Sequence, residues 1–197
     1  MREVKKTVLT PKSPLVVAVV GAPGAGKSFF AEQFANAIGL AIASQDHVRW
    51  MLFAKHTYSR NENDIVNQVV GMLVDQLFKT KRSFVIDGGC NAAVERQRLK
   101  TQCRQAGYKL LFVTVQTDLP TAKHRAMHRT ADHGLANYNQ DLTPELFKQL
   151  LAKYQAPIVD NITTIAISGK YNFNAQARSV LKHIFATNQA WSNGNSH

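Results

Sequence analysis

The stretch VVAVVGAPGAGKSFF, residues 16–30, decides the fold of this chain. Its first five residues are apolar and mostly β-branched, which is typical of a strand buried on both faces of a parallel sheet. Three glycines follow within six residues, and a lysine and a serine then open a helical pattern. Residues 21–28, GAPGAGKS, match G-x-x-x-x-G-K-[ST] at every defined position, in the expected context of strand, loop and helix.

A loop of this kind binds the phosphate groups of a nucleotide. The glycines let consecutive backbone N–H groups turn inward around an anion, and the N-terminus of the following helix adds positive charge. Lys27 is predicted to reach the β- and γ-phosphates, and Ser28 to place its hydroxyl on Mg²⁺. The predicted nucleotide site consists of Gly21, Ala22, Pro23, Gly24, Ala25, Gly26, Lys27 and Ser28.

The rest of the chain alternates apolar runs with helical patterns. We expect strands at residues 14–20, 40–44, 83–87, 110–115 and 162–168. We expect helices at residues 27–38, 46–55, 62–79, 92–106, 119–130, 144–155 and 174–187. Strands and helices in alternation predict an α/β fold, a three-layer sandwich around a five-stranded parallel sheet. Such sheets bind their ligands at the carboxyl ends of the strands.

Length and composition favour one domain. The 197 residues suit a basic N-terminal arm at 1–13, a P-loop domain at 14–188 and a flexible tail at 189–197. Two cysteines, no leader-like segment and no apolar run long enough for a membrane predict a cytoplasmic protein. The net charge of +11 favours anionic partners, either nucleic acid or smaller phosphorylated compounds. The alternative is a basic surface that is merely solvated.

A candidate acceptor site follows the short second strand, in the sequence SQDHVR at residues 44–49. Asp46 precedes Arg49 by three residues, so both side chains lie on one face of a helix's first turn. An attacking hydroxyl needs a base, which is the role predicted for Asp46. The planar guanidinium of Arg49 suits the acceptor or the transferring phosphoryl group. The alternative is that Asp46 caps the helix and pairs with Arg49.

A second carboxylate ends the strand predicted at residues 83–87. Asp87 is followed by two glycines and is expected beside the P-loop strand, which is a Walker B arrangement. In that arrangement the carboxylate orients the water bound to Mg²⁺. The alternative is that Asp87 only caps the next helix.

Two arginines precede a polar segment at residues 131–142. Arg125 and Arg129 share a helix face, and with the polar segment they predict a lid over residues 125–142. There they would neutralise charge on the transferring phosphoryl group, unless they are only a solvated surface. His124 and His128 have the same spacing, but an arginine replaces the glutamate of H-E-x-x-H, so no zinc site is expected.

These elements, in this order, resemble the P-loop kinases grouped as predicted kinases, and in particular the 5′-kinase domain of bacteriophage polynucleotide kinase. The resemblance covers about residues 14–160. It implies a fold like that of the nucleoside monophosphate kinases, with a lid. It further implies that Asp46 is the general base, that Arg49 contacts an acceptor phosphate and that Arg129 contacts the phosphates of ATP. One departure follows Asp87. The family often has Asp-[ST]-[NT] at this place, whereas this chain has DGGCN at residues 87–91, so Asn91 is the residue expected to take over the polar role.

The sequence therefore predicts a kinase that uses ATP and Mg²⁺ and transfers the γ-phosphoryl group to a hydroxyl. ATP is favoured by the resemblance and by the missing guanine-reading N-K-x-D. The acceptor is either a 5′-hydroxyl of nucleic acid or a small molecule. The alternative is a non-catalytic ATP-dependent switch or a nucleic-acid-binding ATPase, which would need residues 21–28 but not Asp46 and Arg49 together. Topology places the expected adenine contacts near Gly169 and Lys170.

Overall fold

A parallel sheet forms the centre of the molecule. The computed structural model describes residues 13–128, 142–159 and 163–193. Within them lie the strands β1 Leu15–Val20, β2 Ala41–Ser44, β3 Phe84–Asp87, β4 Lys109–Gln116 and β5 Thr164–Ser168. Their order in the sheet is β2-β3-β1-β4-β5, and every neighbouring pair is parallel. The predicted α/β fold with a five-stranded parallel sheet is confirmed.

Helices follow the strands and cover both faces of the sheet. The described residues contain α1 Lys27–Ile38, α2 Gln45–Leu52, α3 Arg60–Lys79, α4 Ala93–Ala106, α5 Leu119–Met127, α6 Pro144–Ala152 and α7 Phe173–Asn193. None of these helices combines the length and the apolar composition that crossing a bilayer requires.

Two apolar cores lie on opposite faces of the sheet, because alternate side chains of a strand point to opposite sides. On one face Val17 and Val19 of β1 belong to a cluster with α1 and α7. On the other face Val16 and Val20 belong to a cluster with α2, α3 and α4. All six residues of β1 are buried, so the strand is apolar throughout rather than alternating. This burial explains the continuous apolar run in the sequence.

The carboxyl ends of three strands meet at one edge. Asp87, the last residue of β3, is in register with Val19 of β1 and with Ser44 of β2. The loop that follows β1 and the helix that follows β2 therefore both begin beside Asp87. This register brings three sequence-distant segments into one site.

Several helices differ from the predicted bounds. Helix α2 ends at Leu52 rather than at 55, because Phe53 has extended backbone angles. Helix α3 begins two residues early, because the side chain of Ser59 accepts a hydrogen bond from Glu62 N–H and caps the helix at that point. Helix α7 continues to Asn193, into residues expected to form a tail. The capping of α6 by Thr143 agrees with the sequence-based expectation.

The neighbouring side chains Phe29 and Phe30 provide a test of the core on the α1 face. Phe30 is fully buried and stacks on Phe34, whereas Phe29 is 39% exposed. Phe30→Ala is expected to lower the free energy of unfolding by about 3–5 kcal/mol through lost burial and cavity formation. Phe29→Ala, the control, should cost about 1 kcal/mol or less. Urea unfolding of the two variants measures the difference, and equal losses would contradict the assigned core.

Candidate active site

The P-loop lies at the carboxyl end of β1 and leads into α1. Gly24 and Gly26 have positive φ angles of 75° and 100°, which an ordinary side chain rarely adopts. Helix α1 begins after Gly26 with no capping side chain and no acidic residue in its first turn. The first N–H groups of the helix are thus left for an external anion. The Nζ of Lys27 donates a hydrogen bond to the carbonyl oxygen of Ala22 at 2.9 Å, folded back over the loop.

Neighbouring segments pack against the P-loop and fix its shape. A Cβ on Gly24 would lie 1.9 Å from the carbonyl oxygen of Ala122 in α5, so only glycine fits. The hydroxyl of Thr117 donates a hydrogen bond to the carbonyl of Ala25 at 3.0 Å. The ideal Cβ position of Gly169 is 2.3 Å from the same carbonyl. The loop is therefore supported by the connections that follow β4 and β5.

The carboxylate of Asp87 is the most buried charged group at this edge, at 3% exposed. It accepts a hydrogen bond from the hydroxyl of Ser44 at 3.1 Å, and the hydroxyl of Ser28 in the P-loop lies close enough to lower its pKa. Burial raises the pKa of Asp87, and the nearby Asp46 raises it further, against the lowering effects of Lys27 and the two hydroxyls. The predicted neighbours Ser28 and Asp87 thus do meet.

Asp46 lies in the first turn of α2 and is partly buried. It is not the helix cap, since the Ser44 hydroxyl accepts the hydrogen bond from His47 N–H at 3.3 Å. It forms no hydrogen bond or ion pair with the part of the chain that the structure describes. Its charge raises the pKa of both Asp87 and Glu32, so the three carboxyl groups lie near enough to interact electrostatically. A carboxylate without a structural partner is available to a bound acceptor.

Arg49 does not pair with Asp46 and is 5% exposed. Its Nη1 bonds Glu62 at 2.5 Å, and its Nη2 donates to the side-chain oxygen of Asn63 at 2.9 Å. The guanidinium carbon lies 4.4 Å from the centre of the Tyr58 ring. Arg49 therefore joins α2 to the start of α3.

Sequence reasoning missed Glu62, the partner of Arg49. Its second carboxylate oxygen accepts hydrogen bonds from the N–H and hydroxyl of Thr57 and from the N–H of Tyr58. Burial alone would raise the pKa of Glu62, but the hydrogen bonds from Thr57, Arg49 and Tyr58 together lower it to about 2. Glu62 is therefore an anion across the neutral pH range.

Sequence reasoning also missed Glu32, which lies one helical turn after Ser28 on α1. It is 9% exposed, and its Oε2 has no hydrogen-bond partner within the described residues. Burial, and then the charges of Asp87 and Asp46, raise the pKa of Glu32 to about 7. Its only sequence signal is an acidic residue four positions after the P-loop serine in an otherwise apolar helix face.

The residues proposed to cover the site are only partly described. The Nη1 of Arg125 on α5 donates to the carbonyl of Gly169 at 2.9 Å, which joins α5 to the connection after β5. Arg129 and residues 131–141 of the expected lid lie outside the described residues, and their predicted roles stay predictions.

Lys170, near the expected adenine contacts, forms an exposed ion pair with Asp118 at 2.5 Å. That ion pair lowers the pKa of Asp118.

The chemistry of Ser28 and Asp87 fits Mg²⁺. This ion is usually held by one or two protein oxygens, with waters and substrate phosphates completing its octahedron. A hydroxyl and a carboxylate that lie near each other beside a phosphate-binding loop provide such oxygens. Within the described ranges no group of three His, Cys, Asp or Glu residues could enclose a metal ion by itself. His124 and His128 stack with their ring centres 4.5 Å apart.

Known proteins share the fold of this chain. The model of an AAA domain family, AAA_33, matches residues 16–157. A gluconokinase from Sinorhizobium meliloti 1021 is similar in structure, with 18% identity, a TM-score of 0.66 and coverage of 93% of this chain and 98% of that one. The APS kinase of Mycobacterium tuberculosis in complex with AMPPNP and APS has 17% identity, a TM-score of 0.62 and coverage of 87% and 98%.

The likeness to another solved structure is narrower. A chain of the Pnkp1/Rnl/Hen1 complex has 21% identity and a TM-score of 0.51, and the match covers 61% of this chain and 41% of that one. No curated protein matches this chain significantly in sequence. At these identities the solved structures show a shared P-loop kinase-like fold.

The buried carboxyl of Glu32 predicts a pH-dependent stability. The folded protein holds this proton up to about pH 7, whereas the unfolded chain releases it near the ordinary value of 4.5. The free energy of unfolding therefore falls as the pH rises from 4.5 to about 7. Glu32→Gln removes this dependence on pH, because glutamine does not titrate. Without nucleotide or metal, the variant should be more stable than the parent by about 1–3 kcal/mol at pH 8 and nearly equal at pH 4.5.

Urea unfolding at both pH values measures this effect. Glu145→Gln, which neutralises an exposed glutamate on α6, is the control and should change stability by less than about 0.5 kcal/mol. A Glu32→Gln variant that is less stable than the parent at pH 8 would contradict the assigned environment.

Proposed function

We propose, since the chain belongs to the AAA_33 family of AAA domains, that it is a kinase that transfers the γ-phosphoryl group of ATP to a hydroxyl acceptor. The observation that carries this proposal is the position of Asp46. Its carboxylate has no structural partner among the described residues, and it lies close to Asp87, which itself contacts the P-loop. A protein that only bound ATP would not need this second carboxylate.

The donor half of the site is formed by the P-loop. Backbone N–H groups of residues 21–28 would surround the phosphates, and the Nζ of Lys27 would exchange the Ala22 carbonyl for a phosphate oxygen. Ser28 and Asp87 would hold Mg²⁺. When held there, the ion would supply positive charge against the phosphates. ATP as the donor is supported by the AMPPNP bound to the similar APS kinase.

The acceptor half is formed by α2. We propose that Asp46 accepts the proton of the acceptor hydroxyl while the hydroxyl oxygen forms a bond to the γ-phosphorus. The bond between that phosphorus and its bridging oxygen breaks, and ADP leaves. Arg125 and Arg129 would neutralise charge on the transferring group from the lid. Arg49 joins α2 to α3 and so holds the helix that carries Asp46.

Two kinds of acceptor agree with the charge of the chain. A 5′-hydroxyl of nucleic acid is supported by the net charge of +11 and by the likeness to the Pnkp1/Rnl/Hen1 complex. A small molecule is supported by the likeness to a gluconokinase, which covers nearly the whole of both chains. Residues 21–28 alone would also serve an ATP-dependent switch, in which ADP release would be independent of any acceptor.

The proposal predicts a specific defect for Asp46→Asn. The variant should bind ATP almost as the parent does, because the phosphates contact the P-loop and not α2. Acceptor-dependent ADP release should fall about 10²–10⁴-fold, since the general base is lost. Lys27→Met should instead weaken ATP binding and transfer together.

The control for the charge change is Asp75→Asn, an exposed residue on α3. Nucleotide binding is measured by calorimetry and ADP release by a coupled assay with a panel of hydroxyl compounds. Unchanged turnover of Asp46→Asn would exclude this residue as the base. ADP release that no compound stimulates would favour the switch.

A further inference from the structure

The guanidinium of Arg49 is buried and partly bonded within the chain. Both Nη atoms have acceptors, one on Glu62 at 2.5 Å and the other on Asn63 at 2.9 Å, and the Tyr58 ring lies 4.4 Å from the guanidinium carbon. Nε is buried and without a hydrogen-bond partner in the described residues. A phosphate that binds arginine bidentately needs two neighbouring N–H groups directed at it. Arg49 exposes no such pair, because its side chain is only 6% exposed and both Nη atoms are bonded, to Glu62 and to Asn63.

The bond to Glu62 is not one that a ligand could easily replace. Both side chains are almost fully buried, at 6% and 4% exposed. Glu62 also accepts hydrogen bonds from Thr57 and Tyr58, which hold the connection between α2 and α3. Removing the arginine would leave a buried carboxylate without its cation, which is strongly unfavourable. Arg49 therefore serves to position α2 through its bond to Glu62.

Two further carboxyl groups interact electrostatically with Asp46, which does not favour an anionic acceptor. Glu32 and Asp87 are both buried, and each has its pKa raised in part by Asp46. On the donor side Lys27 and a bound cation offset these charges. An additional phosphate on the acceptor, placed at the α2 wall, would meet the carboxylate of Asp46, while the guanidinium of Arg49 on the same helix is buried.

Neutral amide groups line the same wall. Gln45 immediately precedes Asp46, and its Nε2 donates to the side-chain oxygen of Asn67 at 2.6 Å. Gln45 also occupies the space beside Gly88 and Gly89, where a Cβ on Gly88 would lie 2.7 Å from the Gln45 Oε1. An amide both donates and accepts hydrogen bonds, as a hydroxyl does. These groups suit a compound with several hydroxyls.

We infer that the acceptor of the proposed kinase is an uncharged, hydroxyl-rich small molecule, such as a polyol, sugar or nucleoside, bound beside Asp46 by the Gln45 and Asn67 amides. This inference rests on the proposed function for the reaction itself. It differs from the role that the resemblance implies for Arg49, which is to contact an acceptor phosphate. The opposite case is an acceptor that carries a phosphate, such as nucleic acid, and the experiments below can detect it.

The first experiment tests Arg49 without requiring turnover. Protein saturated with Mg²⁺ and AMPPNP is titrated with inorganic phosphate by calorimetry. The variant is Arg49→Met with Glu62→Gln, which removes both charges and leaves no lone buried carboxylate. Arg98→Met, an exposed arginine on α4, is the control for net charge. We expect either no saturable binding or binding whose affinity changes less than threefold in the double variant.

Saturable phosphate binding that weakens at least tenfold in the double variant, but not in Arg98→Met, would overturn the inference. Circular dichroism and urea unfolding confirm that the double variant is folded. If it is not, Arg49→Lys replaces it, since lysine keeps the charge but loses the planar pair of donors. A phosphate site that used the planar pair would then weaken at least tenfold.

The second experiment tests the class of acceptor. ADP release is compared for erythritol, glucose and thymidine against erythritol 4-phosphate, glucose 6-phosphate and thymidine 3′-monophosphate. We expect the uncharged member of a pair to be the better acceptor, and Gln45→Leu to raise its KM at least tenfold with a smaller change in kcat. A phosphorylated member that is at least tenfold better would overturn the inference. ADP release with none of the six would count against the proposed function, and the phosphate titration would still decide the role of Arg49.

Discussion

The buried carboxylate of Asp87 is the constraint on which the rest of the site depends. A charge at the end of a central strand is tolerated only when nearby groups compensate for it. Here the hydroxyl of Ser44 bonds it, and Ser28 and Lys27 lie close enough to lower its pKa. These groups come from the segments after β1 and β2. Compensating one carboxylate therefore gathers the P-loop and the start of α2 at the same edge of the sheet.

The two halves of the site are held by different interactions. The P-loop is packed against α5 and the connection after β5, with a glycine where no side chain fits. The wall opposite is held by the buried pair of Arg49 and Glu62. Between the halves lie carboxyl groups that repel one another, and Glu32 adds a third to the two predicted from sequence. A bound cation would relieve that repulsion.

Much of the fold and of the candidate site could be predicted from the sequence, because short local patterns specify them. The P-loop has a fixed spacing, and the apolar runs of buried parallel strands identify the sheet. Asp87 was predictable because it ends such a run. The pair of Arg49 and Glu62 was not, since the two residues are 13 positions apart and their contact depends on how α2 packs on α3. The environment of Glu32 was also hidden, because its burial depends on β2 and β3 covering a helix face.

The fate of the γ-phosphoryl group tests the central claim most directly. The protein is incubated with Mg²⁺ and γ-labelled ATP in ¹⁸O-enriched water, together with a mixture of uncharged polyols, sugars and nucleosides. Transfer to a hydroxyl predicts that label appears on an organic product without ¹⁸O in its phosphoryl group, and that Asp46→Asn abolishes this product. Label found only in inorganic phosphate containing ¹⁸O, at a rate independent of the added compounds, would contradict it.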